Sequence, residues 1–379
     1  MERNHAPIAM ESAMSHNRVL GSLVLLVIGL CPSAVFGQHY TQTNLVSNTG
    51  AAPVVPDANL RNAWGLVHGP NTPWWISDNF TGLSTVYNTS TTPTTIISSV
   101  VVTVPDSAGN PGHPTGVMFN GSPTDFVLAN GKAAAFIWVT EDGTVDAWNG
   151  GAKATVMFPP PNKSTDAVYK GATIVEIGGK RYLLVANFHS GELEMFDSAF
   201  HQVDVPKHMF RDQKIKKGFA PFNVQGIGPN VVVTYAKQDE DAMDDAPGAG
   251  LGFVDVFRAD GELLLRLEHG DWMNAPWGVA LAPGDFGEFS HALLVGNFGD
   301  GTIMAFNPVS GDFLGNMLTP AGAKVAIDGL WALSFGNDSR KPSGPANTLF
   351  FTAGPNMESD GLFGTLTPIA SELNEGDEQ

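Results

Sequence analysis

The chain has 379 residues, 20 Lys and Arg against 38 Asp and Glu, and a formal net charge of −18. So acidic a surface repels phosphate backbones and anionic bilayers, which argues against nucleic acid or a membrane surface as a partner. Its one cysteine, Cys31, leaves no disulfide, Cys-zinc site or iron–sulfur cluster to expect.

Residues 1–37 read as a secretory signal. Arg18 precedes an apolar run over 19–30, followed by Pro32, Ser33, Ala34 and Gly37. The run is too short to span a bilayer comfortably, and small residues after it suit cleavage near Gly37–Gln38. The chain is therefore expected to be exported to a periplasmic or extracellular place, and the mature chain to carry no cysteine. Residues 38–48 alternate polar and apolar side chains, as an edge strand does.

From there to about residue 370 the chain repeats. Each unit reads as four short apolar runs bounded by Gly, Pro, Asn and Asp, the strand-and-turn signature. The clearest unit spans 274–318, with strands over Trp277–Leu281, His291–Gly296, Thr302–Asn307 and Asp312–Leu318, and room for a helical turn near Phe286–His291. The phrase around Gly278 recurs around Gly65, Gly116, Gly171, Gly226 and Gly329, at intervals of 51, 55, 55, 52 and 51 residues. Six such units predict an all-β, six-bladed β-propeller over 38–370. The outer strand of unit one falls in Thr89–Val104, and unit four carries an acidic insertion over 237–252. The last unit has three strands, Leu330–Phe335, Thr348–Thr352 and Leu362–Thr367, and lacks a fourth. Two open edges would invite aggregation. We therefore expect Thr41–Val46 to pair with Gly364–Ile369 and close the ring. Residues 371–379 read as an acidic disordered tail, and the molecule as a monomer.

In such a fold the first strand of each blade lines a central channel. The links entering those strands and the turns between second and third strands open on one face. The links place Asn62, Trp64, His113, Lys170, Asn223, Asn274, Trp277 and Asp328 there. The turns add Asn79, Glu141, Asp142, Asn187, His189, Asn297, Asn356 and Glu358. A concave mouth with convergent polar groups is a binding site by default. Asn62, Trp64, His113, Asn223, Asn274, Trp277 and Asp328 are its candidate binding residues. The tryptophans also suit a core role, and Asn at strand ends also serves local turns. A hard cation such as Ca²⁺, which takes oxygen ligands, is the sharpest chemistry available. Asn187, Asn297 and Asp328 are candidate ligands in the mouth. Asp239, Asp241, Asp244 and Asp245 in the insertion form a second set, although a solvated acidic loop explains those four better. No nucleophile elbow, zinc-protease helix or phosphate loop is present.

The unit NAPWGVALAP…HALLVGNFGDGTIMAFNPVSGDFLG resembles an NHL-type repeat, and the fold is NHL-like or TolB-like. With NLVSNTG, NAWGLV, VTYAKQD and GFVDVF, the span 40–370 resembles a family of uncharacterised secreted bacterial six-bladed propellers. More distantly the chain is similar to calcium-dependent hydrolases of the gluconolactonase and phosphotriesterase type. The nearer resemblance implies no established activity, and the polar channel mouth points to a binding or interaction module for a small molecule, glycan or protein. The distant one implies an alternative, a Ca²⁺-dependent hydrolase of lactones or esters. There Asp328, Asn187 and Asn297 would be ligands, and His113 or Glu141 the base.

Overall fold

The computed structural model describes residues 38–51, 53–159, 165–338 and 340–372. Residues 1–37, which carry the expectation of export, lie outside the described residues, as does 373–379 of the expected tail. Among the described residues no helix is long and apolar enough to cross a membrane.

Six sheets follow one another along the chain, antiparallel apart from a short parallel pairing of Val55–Pro56 at the outer edge of the sixth. Their inner strands are Ala63–Val67, Pro114–Phe119, Tyr169–Ile177, Phe219–Ile227, Pro276–Leu281 and Leu330–Phe335. Each inner strand packs beside the next, and the sixth returns to the first. The molecule is a six-bladed β-propeller. In the sixth sheet, Tyr40–Ser47 pairs antiparallel with Leu362–Pro368; Thr41 stands opposite Thr367 and Val46 opposite Phe363. The N-terminal strand closes the ring as expected. Beyond it, Ala370–Glu372 form a 3₁₀ turn, and Glu372 accepts the backbone N–H of His39 at 2.7 Å.

The blades bury both faces, which explains the apolar runs. Trp74–Asp78, Phe136–Thr140, Leu293–Asn297 and Leu349–Ala353 are second strands buried at every residue. Six apolar clusters lie between neighbouring blades, and a seventh fills the channel. The helical turn near Phe286 is a 3₁₀ turn at Gly287–Phe289. The outer strand of unit one is broken. Thr95–Ile96 and Val102–Thr103 each pair with Leu83–Asn88, because the chain turns at Ile97–Val100 between them.

One irregularity recurs in all six inner strands: a bulge near the strand start. Trp64, Thr115, Lys170, Phe222, Trp277 and Trp331 occupy it. A bulge re-aims a side chain, and here it turns Trp64, Lys170, Phe222, Trp277 and Trp331 into the channel, while Thr115 donates to the carbonyls of Val139 and Tyr169. The residue after the bulge is Gly65, Gly116, Gly171, Asn223, Gly278 and Ala332. Two glycines of the repeat were therefore misassigned: Asn223 and Ala332 hold the positions given above to Gly226 and Gly329. Glycine recurs because neighbouring inner strands meet backbone to backbone. A Cβ on Gly278 would lie 2.4 Å from the carbonyl oxygen of Trp331. At Asn223 the room comes from Gly171, whose Cβ would lie 2.1 Å from Asn223 Oδ1.

Candidate functional site: the channel mouth and its buried lysine

The channel is plugged. Trp64 stacks on Trp331 with ring centres 3.5 Å apart, Phe298 covers the other face of Trp331 at 3.9 Å, and Trp277 stands edge-on to both tryptophans. Trp64 and Trp277 are buried floor rather than open contact surface. Trp277 donates its indole N–H to the Lys170 carbonyl, and Asn223 donates to the Trp277 carbonyl at 2.9 Å, tying blades 3, 4 and 5 together.

Lys170 is the exception among the six bulge residues. Its side chain is 1% exposed and its Nζ lies 5.3 Å from the Trp64 ring centre and 5.9 Å from that of Phe188. A buried ammonium requires partners. It donates to Glu141 of blade 2, and to Asp244 of the blade 4 insertion at 2.7 Å. Burial opposes its charge, yet these two carboxylates hold it above the ordinary lysine range.

The network continues across the mouth. Asn79 donates to Glu141 at 2.8 Å, Asn62 donates to Asn79 at 3.2 Å and to Glu358 at 2.6 Å, and Trp331 donates to Asn62 at 2.8 Å. Glu358 and Asp245 stand beside this centre, and no ion pair reaches either among the described residues. Burial, then the charge of Glu141, raises the Glu358 carboxyl; its bond from Asn62 and the charge of Lys170 oppose this. Burial pushes Asp245 up to about 7, against Lys170, and one of its oxygens is buried without a partner. One ammonium thus faces four carboxylates.

Backbone strain gathers at the same end. Asn62 and Ala275 have φ of 45° and 46°, and Asn356, Met357 and Glu358 form a left-handed turn with φ of 57°, 51° and 62°. At Ala275, Met357 and Glu358 this costs about 1–2 kcal/mol each, while asparagine tolerates it better. Such strain clusters where structure serves a site. The turn is held by Asp328, which accepts the Asn356 N–H at 2.9 Å.

The other expected residues are engaged locally. His113 pairs with Asp142 at 3.0 Å on the surface, and the hydrogen bond raises its pKa. Asn187 donates to Glu194, Asn297 donates to the Trp272 carbonyl, and Asn274 Oδ1 accepts the Gly248 N–H and anchors the insertion. Within the insertion, Asp239 Oδ1 accepts the Met243 N–H. Asp241 pairs with no side chain among the described residues, while Asp244 reaches Lys170. No group of three or more His, Cys, Asp or Glu among the described residues is arranged to hold a metal ion. The open space of the channel lies on the far side of the plug. There a cavity of about 420 Å³ is lined by Leu66, Phe119, Thr173, Gln225 and Ser334, with Trp277 at its floor.

The sequence places Lys170 and Glu358 at the mouth without a role and offers Asp245 as a cation ligand, and it misses the charge network that joins them. Lys170 stands where three other units carry Trp, a signal readable only once the bulge aligns the repeats.

Comparison with known proteins places the chain. An uncharacterised protein of Acanthamoeba polyphaga mimivirus is 30% identical over 331 residues, covering 85% of this chain and 78% of the relative. The chain belongs to that protein's family. No family model matches the chain. A structural-genomics protein of unknown function from Bacteroides thetaiotaomicron shares the fold at 8% identity and a TM-score of 0.52, covering 87% of this chain and 76% of that one. A gluconolactonase from Xanthomonas campestris covers 62% of this chain and 82% of its own, at 13% identity and a TM-score of 0.38, too slight a likeness to carry an argument about chemistry. Membership thus brings a fold and no assigned activity.

Proposed function

We propose that this propeller is a binding module whose channel mouth takes a cationic group, either an amine-bearing small molecule or a basic side chain of a protein. The observation that carries this is the charge imbalance around Lys170. Glu141 and Asp244 already share its ammonium. Glu358 and Asp245 share the same confined space without a cation, at a rim held in strained backbone. A ligand ammonium or guanidinium would relieve their repulsion and donate hydrogen bonds to their oxygens, in charge-assisted bonds stronger than neutral ones. The same proposal has the chain exported and monomeric, with neither nucleic acid nor a membrane as its partner.

Thermal melts with spermidine or arginine ethyl ester at pH 7.5 test it. A bound cation raises the melting temperature in proportion to the logarithm of its concentration. The double variant Glu358→Gln, Asp245→Asn should melt no lower without ligand and lose that response. An equal response in the variant, or none in either protein, would sink the idea. A saturable response to Ca²⁺ alone, reversed by chelation, would instead favour the calcium-dependent hydrolase of lactones or esters.

A further inference from the structure

The charge of this chain is uneven. Residues 204–218 hold Lys207, Arg211, Lys214, Lys216 and Lys217 against Asp204 and Asp212. A quarter of the molecule's 20 basic residues thus falls in fifteen positions of a chain whose net charge is −18. The segment leaves the outer strand of blade 3, Gln202–Val203, and enters the inner strand of blade 4 at Phe219. It spans a cavity of about 580 Å³ between those blades.

The walls are apolar. Leu193, Met209, Ile215 and Phe219 line the cavity. They belong to the core between blades 3 and 4, where Leu193, Ile215 and Phe219 are only partly buried, so this core stays in reach of solvent. The rim is cationic. Arg211, Lys216 and Lys217 line it, and all three are exposed. The two carboxylates on the lining are already engaged: Glu192 pairs with Arg211 at 2.8 Å, and Asp212 with Arg266. Among the described residues no carboxylate pairs with Lys216 or Lys217. Lys216 Nζ lies 5.8 Å from the ring centre of Phe253.

We propose that this cavity binds a small organic anion with an apolar body, its head group between Lys216 and Lys217. The volume falls in the roughly 300–1,000 Å³ range of small-molecule sites, and concave apolar walls with a few placed charges are their usual make-up. Burying an apolar body contributes about 25 cal/mol per Å² removed from water, while the lysines select the charge. The strongly negative remainder of the molecule repels anions, so the local basic rim is what admits one here. This site is separate from the channel mouth and takes a ligand of opposite charge.

Calorimetric titration of the whole chain with decanoate and with naphthalene-2-sulfonate, each below its aggregation threshold, tests the proposal. Decanol and naphthalene serve as uncharged counterparts. At least one anion should bind at one site per chain, and Lys216→Glu with Lys217→Glu should weaken it at least tenfold without lowering the melting temperature, since both side chains are exposed. Raising the salt to 0.5 M should weaken it too, because exposed charges are screened. Three outcomes would overturn it: no binding of either anion at millimolar concentration, equal binding of the uncharged counterpart, or equal binding by the double variant. Binding of polyglutamate without either small anion would also overturn it, and would make the segment a dock for acidic polypeptide.

Discussion

A single lysine sets the chemistry of the channel. At the bulge of blade 3 the fold offers a place that Trp64, Trp277 and Trp331 fill elsewhere with indole rings. Lys170 fills it with a charge and so requires Glu141 and Asp244 to come to it. Removing one partner of a buried pair is costly because the rest stays desolvated. Here Asp244 is 71% exposed and can find water, while Glu141 is 24% exposed and cannot do so fully. Lys170→Met should therefore lower stability by about 3 kcal/mol, the lower end of the range for broken buried pairs. Urea unfolding at pH 7 reads this as a shift in midpoint with little change in slope. An unshifted midpoint would mean that the ammonium contributes charge to the mouth and nothing to the fold.

The elements that matter most are those joining distant parts of the chain. Tyr40–Ser47 gives the sixth blade its fourth strand and buries Tyr40 and Val46 in two different interblade clusters. Asn48 fastens the join further, accepting the Gly361 N–H at 2.8 Å and donating to Asp360 at 2.9 Å. A chain beginning at residue 49 would expose the full edge of Leu362–Pro368, and exposed flat edges recruit other strands. That truncation should lose its sharp thermal transition and form dimers or larger species on size exclusion. A synthetic peptide of residues 38–50 added in trans should restore the elution position and the transition of the full chain. A truncated chain that melts like the full one would show that the ring does not depend on this closure.

At the scale of the molecule, buried carboxylates decide how stability follows pH. Burial raises Asp78 and Asp146 well above the ordinary carboxyl range, and Asp245 and Asp255 to about 7. The folded chain therefore keeps protons that the unfolded chain releases near pH 4. Their favourable contribution is full below that pH and is lost as pH rises through about 7 for Asp245 and Asp255. Asp142 works the other way: burial raises it, but its bonds with His113 hold it below the usual range, and that contribution fades only in acid. Between pH 5 and pH 8 the raised groups outnumber it. Melting temperature should fall by about 5 °C or more across that interval, given the few degrees that each kcal/mol moves a domain of this size. A flat or rising profile would show that the buried carboxyls are reached by water.

The architecture was legible because it rests on local regularities. Strand-length apolar runs, turn residues and a period near fifty residues need no tertiary knowledge, and the missing fourth strand of the last unit pointed to closure by 41–46. The mouth was legible only as a neighbourhood. Links and turns put Asn62, Asn79, Glu141, Lys170 and Glu358 on one face, but their order of importance depends on distances between blades. Glycine was the visible marker of each repeat, and it misled at Gly226 and Gly329, because the true determinant is room for a neighbouring backbone. Asn223 meets that need by using the space above Gly171, and Ala332 by its small side chain. Asp244 looked like one carboxylate among four in an acidic loop. Its role follows from the loop reaching Lys170, 74 residues away in sequence, which no local pattern records. The sequence by itself determined the blades, their number and how they close, since those follow from patterning within each unit. Which side chains meet at the channel was decided only by the tertiary structure, since charge pairing and burial are properties of the assembled ring.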